Sequence, residues 1–166
     1  MTTTHGTHMN GKPRFYLSGG MEYTAGEGKD WRNALQEWIE CELSGEVFNP
    51  NRESERFFAT RYPAVDFRKL KSQDMALYSR IASGLVDLDC GEIAERTDVV
   101  LCYWDEGAMR GAGTKGELTM ARYFKKPVYM VTAMPHCDIP GWVLGCVTEI
   151  FPSFEALREF LAANRG

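Results

Sequence analysis

The stretch DVVLCYWDEGAMRGAGTKGELTMARYFKKPVYMV, residues 98–131, decides the fold. It begins with an apolar run at 98–104, passes through a glycine-rich turn into residues at helical spacing, and ends on a second apolar run at 127–131. A buried strand, a helix and another buried strand in this order are typical of a right-handed crossover between parallel strands. The stretch therefore predicts a β-α-β unit in a sheet that is covered on both faces.

Strands and helices alternate on both sides of this unit. Short β-prone runs predict strands at 14–18, 46–48 and near 147–150, and amphipathic spacing predicts helices at 30–43, 73–96 (with a break near Gly84) and 153–163. Asp30 and Ser153 are the predicted N-caps of the first and last helix. The segment 52–72 has no clean period, which is typical of a long loop that is mobile or functional.

This alternation predicts one α/β domain over residues 13–166, behind a polar, disordered leader at 1–12. The expected architecture is a three-layer, doubly wound domain with about five mostly parallel strands, flavodoxin-like or Rossmann-like in strand order.

Composition limits the possible classes of protein. The chain has 166 residues, of which 44% are hydrophobic and 25% charged, with a formal net charge of −4. We therefore expect a soluble, globular protein that does not bind a nucleic-acid backbone, although a local site could still hold a small anion. Its five cysteines include no C-x-x-C pair, no apolar run has membrane length, and the polar first residues lack the apolar core of a signal peptide. These features predict a cytoplasmic protein without a metal site, a membrane contact or a cofactor.

Glu117 is the most informative single residue of the opening stretch. It lies three residues after Thr114, which is the spacing of a capping box, in which a glutamate caps the start of its own helix. It also follows a glycine-rich turn after a buried strand, where open α/β sheets place their ligand sites. Glu117 is thus either a cap or a catalytic carboxylate. We expect it in the first helical turn, where the helix dipole favours its ionised form by roughly 0.3–1 kcal/mol.

Five short motifs occur in an informative order. They are YLSGGM (16–21), VFNP (47–50), DLDCGEIAERTDVVLCY (87–103), GTKGEL (113–118) and KPVY (126–129). In order and spacing they resemble the nucleoside 2-deoxyribosyltransferase family over about residues 15–131, which is most of the chain. The wider group includes N-glycosidases that act on deoxynucleoside 5′-monophosphates.

The resemblance implies roles for three residues. Glu117 matches the glutamate that attacks C1′ of the sugar and forms a glycosyl-enzyme ester. Tyr16 matches a tyrosine on the first strand that positions this nucleophile, although it could equally be a packed core residue. Asp89, four residues before Ile93, matches an acid that works at the leaving base, with a solvated helix acid as the alternative. Asp87 is expected to point elsewhere.

The loops after the first and third strands supply the predicted substrate contacts, which are Ser18, Gly19, Gly20, Gly113 and Thr114. By resemblance, the region just before the glycine-rich turn contacts the 5′ end of the sugar. Asp105 there would suit a free 5′-hydroxyl, whereas Arg110 would suit a phosphate. Both could instead be solvated loop charges.

The resemblance implies an enzyme that cleaves the N-glycosidic bond of a nucleoside or nucleotide and transfers the sugar to a second base. One alternative is a hydrolase of nucleoside 5′-monophosphates. The other is a non-catalytic nucleotide-binding module, because the spacing from the turn to Glu117 is one residue longer than the family form. The family usually assembles as dimers or larger complexes, which implies a homo-oligomer.

Overall fold

Five strands form one parallel sheet in the computed structural model, which describes residues 11–164. They are β1 (Arg14–Gly19), β2 (Glu46–Phe48), β3 (Val99–Tyr103), β4 (Val128–Val131) and β5 (Glu149–Phe151). Their order is β2-β1-β3-β4-β5, and every neighbouring pair is parallel. The predicted α/β class is confirmed, and the strand order is that of flavodoxin-like folds. The leader predicted at 1–12 lies, except for its last two residues, outside the described part of the chain.

Helices cover both faces of the sheet. They are α1 (Lys29–Trp38), α2 (Pro50–Arg61), α3 (Phe67–Gln73), α4 (Met75–Glu95), α5 (Glu106–Arg110), α6 (Gly113–Tyr123), α7 (Gly141–Cys146) and α8 (Phe154–Ala163). Because side chains alternate along a strand, β1 places Phe15 and Leu17 in a core with α1 and α8. It places Tyr16 on the opposite face, in a second core with α4, α6 and α7.

The prediction of a loop at 52–72 is wrong, because most of this segment folds into α2 and α3. Asn49 caps α2 by accepting a hydrogen bond from the backbone N–H of Asn51, and Pro50 occupies the first helical position. The helical period is weak because these helices pack through aromatic contacts rather than through one apolar stripe on the sheet. The rings of Phe67 and Tyr78, for example, stack with centroids 4.6 Å apart.

Three other boundaries differ from the prediction. Helix α1 begins one residue before Asp30, after Gly28 in a left-handed conformation, so Asp30 is not its N-cap. Helix α4 runs through Gly84 without a break. The last strand is shorter and later than predicted, because Val147 ends α7 as its C-cap and the strand begins only at Glu149. Ser153 is confirmed as the N-cap of α8 and accepts from the backbone N–H of Ala156 at 3.2 Å.

The loop after β1 passes very close to the start of α5. A Cβ atom added to Gly20 would lie 2.7 Å from the backbone nitrogen of Ala108 and 2.9 Å from the carbonyl carbon of Gly107. Backbone atoms at this distance cannot give way as a flexible side chain would. Gly20 therefore allows the end of β1 and the turn after β3 to meet, and this contact brings together the loops that flank the site.

We expect Gly20→Ala to destabilise the protein by about 1–3 kcal/mol, because the added methyl group overpacks this contact. The free energy of unfolding in urea measures the effect. Gly116→Ala is the matched control, because a Cβ at this exposed position in α6 meets nothing within 4 Å. Alanine is the better helix former there by roughly 0.5–1 kcal/mol. Equal losses in the two variants would contradict the close approach.

Candidate active site

The carboxylate of Glu117 lies against two hydroxyl groups of β1. The Tyr16 hydroxyl donates to Oε1 at 3.0 Å, and the Ser18 hydroxyl donates to Oε2. Both donors lie on the same face of β1 because they are two residues apart. Helix α6 follows β3, the neighbour of β1 in the sheet, and carries Glu117 over these hydroxyls.

This geometry excludes the capping role for Glu117. Helix α6 begins at Gly113 with Ala112 as its N-cap and no side-chain cap, so Glu117 lies in the second helical turn. The predicted first-turn position was wrong because the turn before the helix is shorter than the glycine pattern suggested. The helix dipole falls off within the first turn, so other groups must stabilise the charge of Glu117.

The charge state of Glu117 reflects opposing effects. Burial of the carboxylate raises its pKa above the ordinary value, and the two hydroxyl donors together with the Arg32 guanidinium oppose this rise. Hydrogen bonds to the charged form favour ionisation. Each carboxylate oxygen has two lone pairs, so each keeps one free after accepting a single hydroxyl hydrogen bond.

Asp89 on α4 is the second carboxyl group of the cluster. Its pKa is raised from 3.8 to about 8, first by burial and then by the negative charge of Glu117, while Tyr16 and Arg32 act in the opposite direction. Asp89 is therefore largely protonated at neutral pH. Asp87, two residues earlier, is exposed, as the helical spacing predicted.

Tyr16 belongs both to the core and to the site. Its side chain is fully buried, and its ring stacks on Phe48 with centroids 5.1 Å apart. Burial, followed by the charges of Glu117 and Asp89, raises its pKa well above the ordinary value for tyrosine. Tyr16 therefore stays neutral and keeps a proton to donate to Glu117. The core and positioning interpretations of Tyr16 are compatible.

Arg32 is a buried cation near Glu117 that was not predicted from the sequence. Its guanidinium donates to five uncharged oxygens: the backbone carbonyls of Leu17 (3.2 Å), Gly19 (2.8 Å), Glu27 (2.9 Å) and Gly28 (3.4 Å), and Asn51 Oδ1 (3.2 Å). Burial lowers its pKa, and the charge of Glu117 acts against this effect. Arg32 holds the backbone on both sides of Ser18 and contributes a positive charge near Glu117. The helix pattern contained a signal, since Arg32 shares the buried face of α1 with Leu35.

The other predicted contacts are at the edges of this cluster. Gly19 is the last residue of β1 and Gly20 the first residue of the loop after it. Gly113 is exposed at the start of α6, and Thr114 is buried behind it. Asp105 caps α5 by accepting from the Ala108 backbone N–H at 2.8 Å. Arg110 is exposed, with its guanidinium carbon 4.6 Å from the centroid of the Tyr23 ring. Trp104, which follows β3, is fully buried, so its ring is not available to stack on a base.

A cleft of about 490 Å³ opens between the loop after β1 and helices α2, α3 and α4. Tyr78 and Leu85 of α4 line it. At spacings of i, i+7 and i+11, they lie on the same helical face as Asp89. Met21 lines it too and directly follows the Gly19-Gly20 turn. The cleft therefore comes within about one helical turn of Asp89 along α4 and close to Ser18 along the chain, although the four residues of the carboxyl cluster do not line it.

The comparisons with known proteins give no family. A scan against protein-family models and a search of curated proteins both return no match. Among residues 11–164, no group of three or more histidine, cysteine or acidic side chains is placed to hold a metal ion. No helix in the described part of the chain has the length and apolar character needed to cross a membrane.

The raised pKa of Asp89 predicts a specific dependence of stability on pH. Between pH 3.8 and about 8 the folded protein holds a proton that the unfolded chain releases, so this group's contribution to stability falls as pH rises. Asp89→Asn removes the titration. We expect the free energy of unfolding of the variant, relative to wild type, to increase with pH across this window. Urea unfolding at stepped pH measures it, with Asp87→Asn as the exposed control on the same helix. A difference that does not change with pH would contradict the assignment.

Replacing Arg32 should cost much of the stability of the protein. Arg32→Met keeps the bulk of the side chain but leaves its five acceptors without their donor, and each unsatisfied buried group costs about 1–3 kcal/mol. We expect a loss of about 3 kcal/mol or more, measured by urea unfolding. Arg80→Met, at an exposed position on α4, is the control and should change stability by less than about 0.5 kcal/mol. Similar losses in both variants would show that the network around Arg32 contributes little.

Proposed function

We propose that this protein cleaves the N-glycosidic bond of a nucleoside, with Glu117 as the nucleophile, in the way of the deoxyribosyltransferases that its sequence resembles. The supporting observation is the pairing of two carboxyl groups that are both shifted by burial but have different hydrogen-bond partners. Glu117 is held by two hydroxyl donors, and Asp89 retains its proton beside it. Carboxyl groups whose pKa values are shifted by burial and by a neighbouring charge are typical of catalytic sites.

In the first step, a free lone pair of Glu117 attacks C1′ of the sugar. The C1′–O bond to the carboxylate forms, and the C1′–N bond breaks with its electron pair moving to the base nitrogen. The transition state has oxocarbenium character, so a negative carboxylate at C1′ stabilises it as well as attacking it. Tyr16 and Ser18 fix the carboxylate in the attacking orientation.

Asp89 supplies the proton that the leaving base requires. A base that departs as an anion is a poor leaving group, and a positioned acid typically contributes 10²–10⁴-fold to such a step. In the second step the nitrogen of an incoming base attacks C1′, the ester bond breaks, and Glu117 is regenerated as a carboxylate. Asp89 then takes the proton from the incoming base. With water as the acceptor, the same sequence is hydrolysis.

The test measures by chromatography how much free base is released from a panel of deoxynucleosides and ribonucleosides. Each reaction is run with and without a second base as acceptor. We expect Glu117→Gln to lower kcat by about 10³-fold or more, because it removes the nucleophile. We expect Asp89→Asn to lower it by about 10²–10⁴-fold, because it removes the acid. Glu53→Gln, which loses a carboxylate that is paired with Arg56 on α2, is the control for the charge change.

Intact-mass analysis during turnover gives an independent measurement. A sugar ester on Glu117 should appear in wild type and be absent from Glu117→Gln. Dependence of base release on an acceptor base separates the transferase from the hydrolase. If wild type releases no base from any substrate, the proposed function is wrong and a nucleotide-binding module becomes the better explanation.

A further inference from the structure

The cleft between the loop after β1 and helices α2, α3 and α4 is lined by charges of both signs. Four carboxylates and three cations line it among the described residues: Glu22, Glu27, Glu55, Asp66, Lys29, Arg68 and Lys71. All three cations are already paired across or along the cleft. Lys29 bonds to Glu55 at 2.9 Å, Lys71 to Glu22 at 3.0 Å, and Arg68 to Glu27.

The pair between Arg68 and Glu27 is held by the backbone as well as by charge. Glu27 has a positive φ of 56°, which is unusual for a residue with a side chain. Its carbonyl oxygen accepts from the Arg32 guanidinium at 2.9 Å and from the Asn51 amide at 3.1 Å. These bonds fix the left-handed segment 26–28 and direct the Glu27 carboxylate towards α3. The backbone of Glu27 is thus fixed by the same network that supports Ser18, and its carboxylate pairs with Arg68 from that position.

From this arrangement we infer that the site takes an uncharged nucleoside in preference to a nucleoside 5′-monophosphate. The inference rests on the proposed function and names its substrate class. The half-buried aromatic side chains of Phe58, Phe67 and Tyr78, which line the same cleft, suit a neutral planar base.

A phosphate group would gain little in this cleft. To bind Arg68 or Lys71, the phosphate would have to displace a carboxylate. The net gain is therefore only the difference in interaction energy between the new ion pair and the broken one. The displaced carboxylate and the remaining acids of the cleft would repel the phosphate. A neutral sugar hydroxyl meets none of these costs and can donate to a carboxylate at the rim.

Removing the negative partners tests this inference. The double variant Glu22→Gln/Glu27→Gln keeps the shape of both side chains but frees Arg68 and Lys71 to bind an anion. The measured quantity is the ratio of kcat/KM for a deoxynucleoside to kcat/KM for its 5′-monophosphate, at low and high salt. Glu53→Gln is the matched control, because its carboxylate pairs with Arg56 and does not line the cleft.

We expect wild type to favour the nucleoside by about tenfold or more, and the double variant to lower this ratio by about tenfold. The effect of the double variant should weaken at high salt, because exposed charges are screened. The control should leave the ratio within about twofold of wild type. A wild-type preference for the monophosphate would overturn the inference. Loss of that preference in Arg110→Ala would then place the phosphate at the start of α6.

Failure of this inference can be distinguished from failure of the proposed function. If no substrate is cleaved, the proposed function fails, and calorimetric binding of the same nucleoside and monophosphate still tests the selectivity. Tighter binding of the nucleoside, reversed in the double variant, would support an uncharged ligand. Tighter binding of the monophosphate, or binding of neither compound, would overturn the inference.

Discussion

A carboxylate buried against a strand needs hydrogen-bond donors, and the rest of this structure follows from how Glu117 obtains them. Two hydroxyl groups can reach one carboxylate from a single strand only if they are two residues apart, as Tyr16 and Ser18 are. Helix α6 can carry Glu117 over them only if β3 lies next to β1. This neighbour pair is the point where the strand order β2-β1-β3-β4-β5 reverses direction, which is where open α/β sheets bind their ligands.

The positive charge near this cluster comes from a helix on the other face of the sheet. Helix α1 packs with α8 on the other face of the sheet, yet Arg32 reaches the end of β1 and bonds to carbonyls on both sides of Ser18. A buried guanidinium is costly unless all its donors are used, and five acceptors offset much of that cost. Arg32 thereby couples the packing of α1 to the position of Ser18, and the position of Ser18 to the charge of Glu117.

The sequence predicted those features that depend on local pattern. Runs such as 98–104 and 127–131 identified the buried strands, and the motifs around Glu117, Asp89 and Tyr16 identified three groups that the fold brings together. It did not predict what depends on tertiary contact. Arg32 looked like one polar position in an amphipathic helix, because nothing in its neighbours shows that carbonyls of β1 will surround it. Helices α2 and α3 were missed because aromatic packing between helices leaves no regular period.

The site consequently has two parts with different physical origins. The carboxyl cluster is built by the sheet and the helices packed on it, where burial raises the pKa values of both Glu117 and Asp89. The cleft is built by α2, α3 and the left-handed segment 26–28, whose charges are exposed and whose ion pairs are individually weak. Changing a charge in the cleft therefore alters the local field on a ligand at little cost in stability, whereas changing Tyr16 or Arg32 disturbs the core. In the proposed reaction, selectivity can thus vary through the cleft while the chemistry stays tied to the fold.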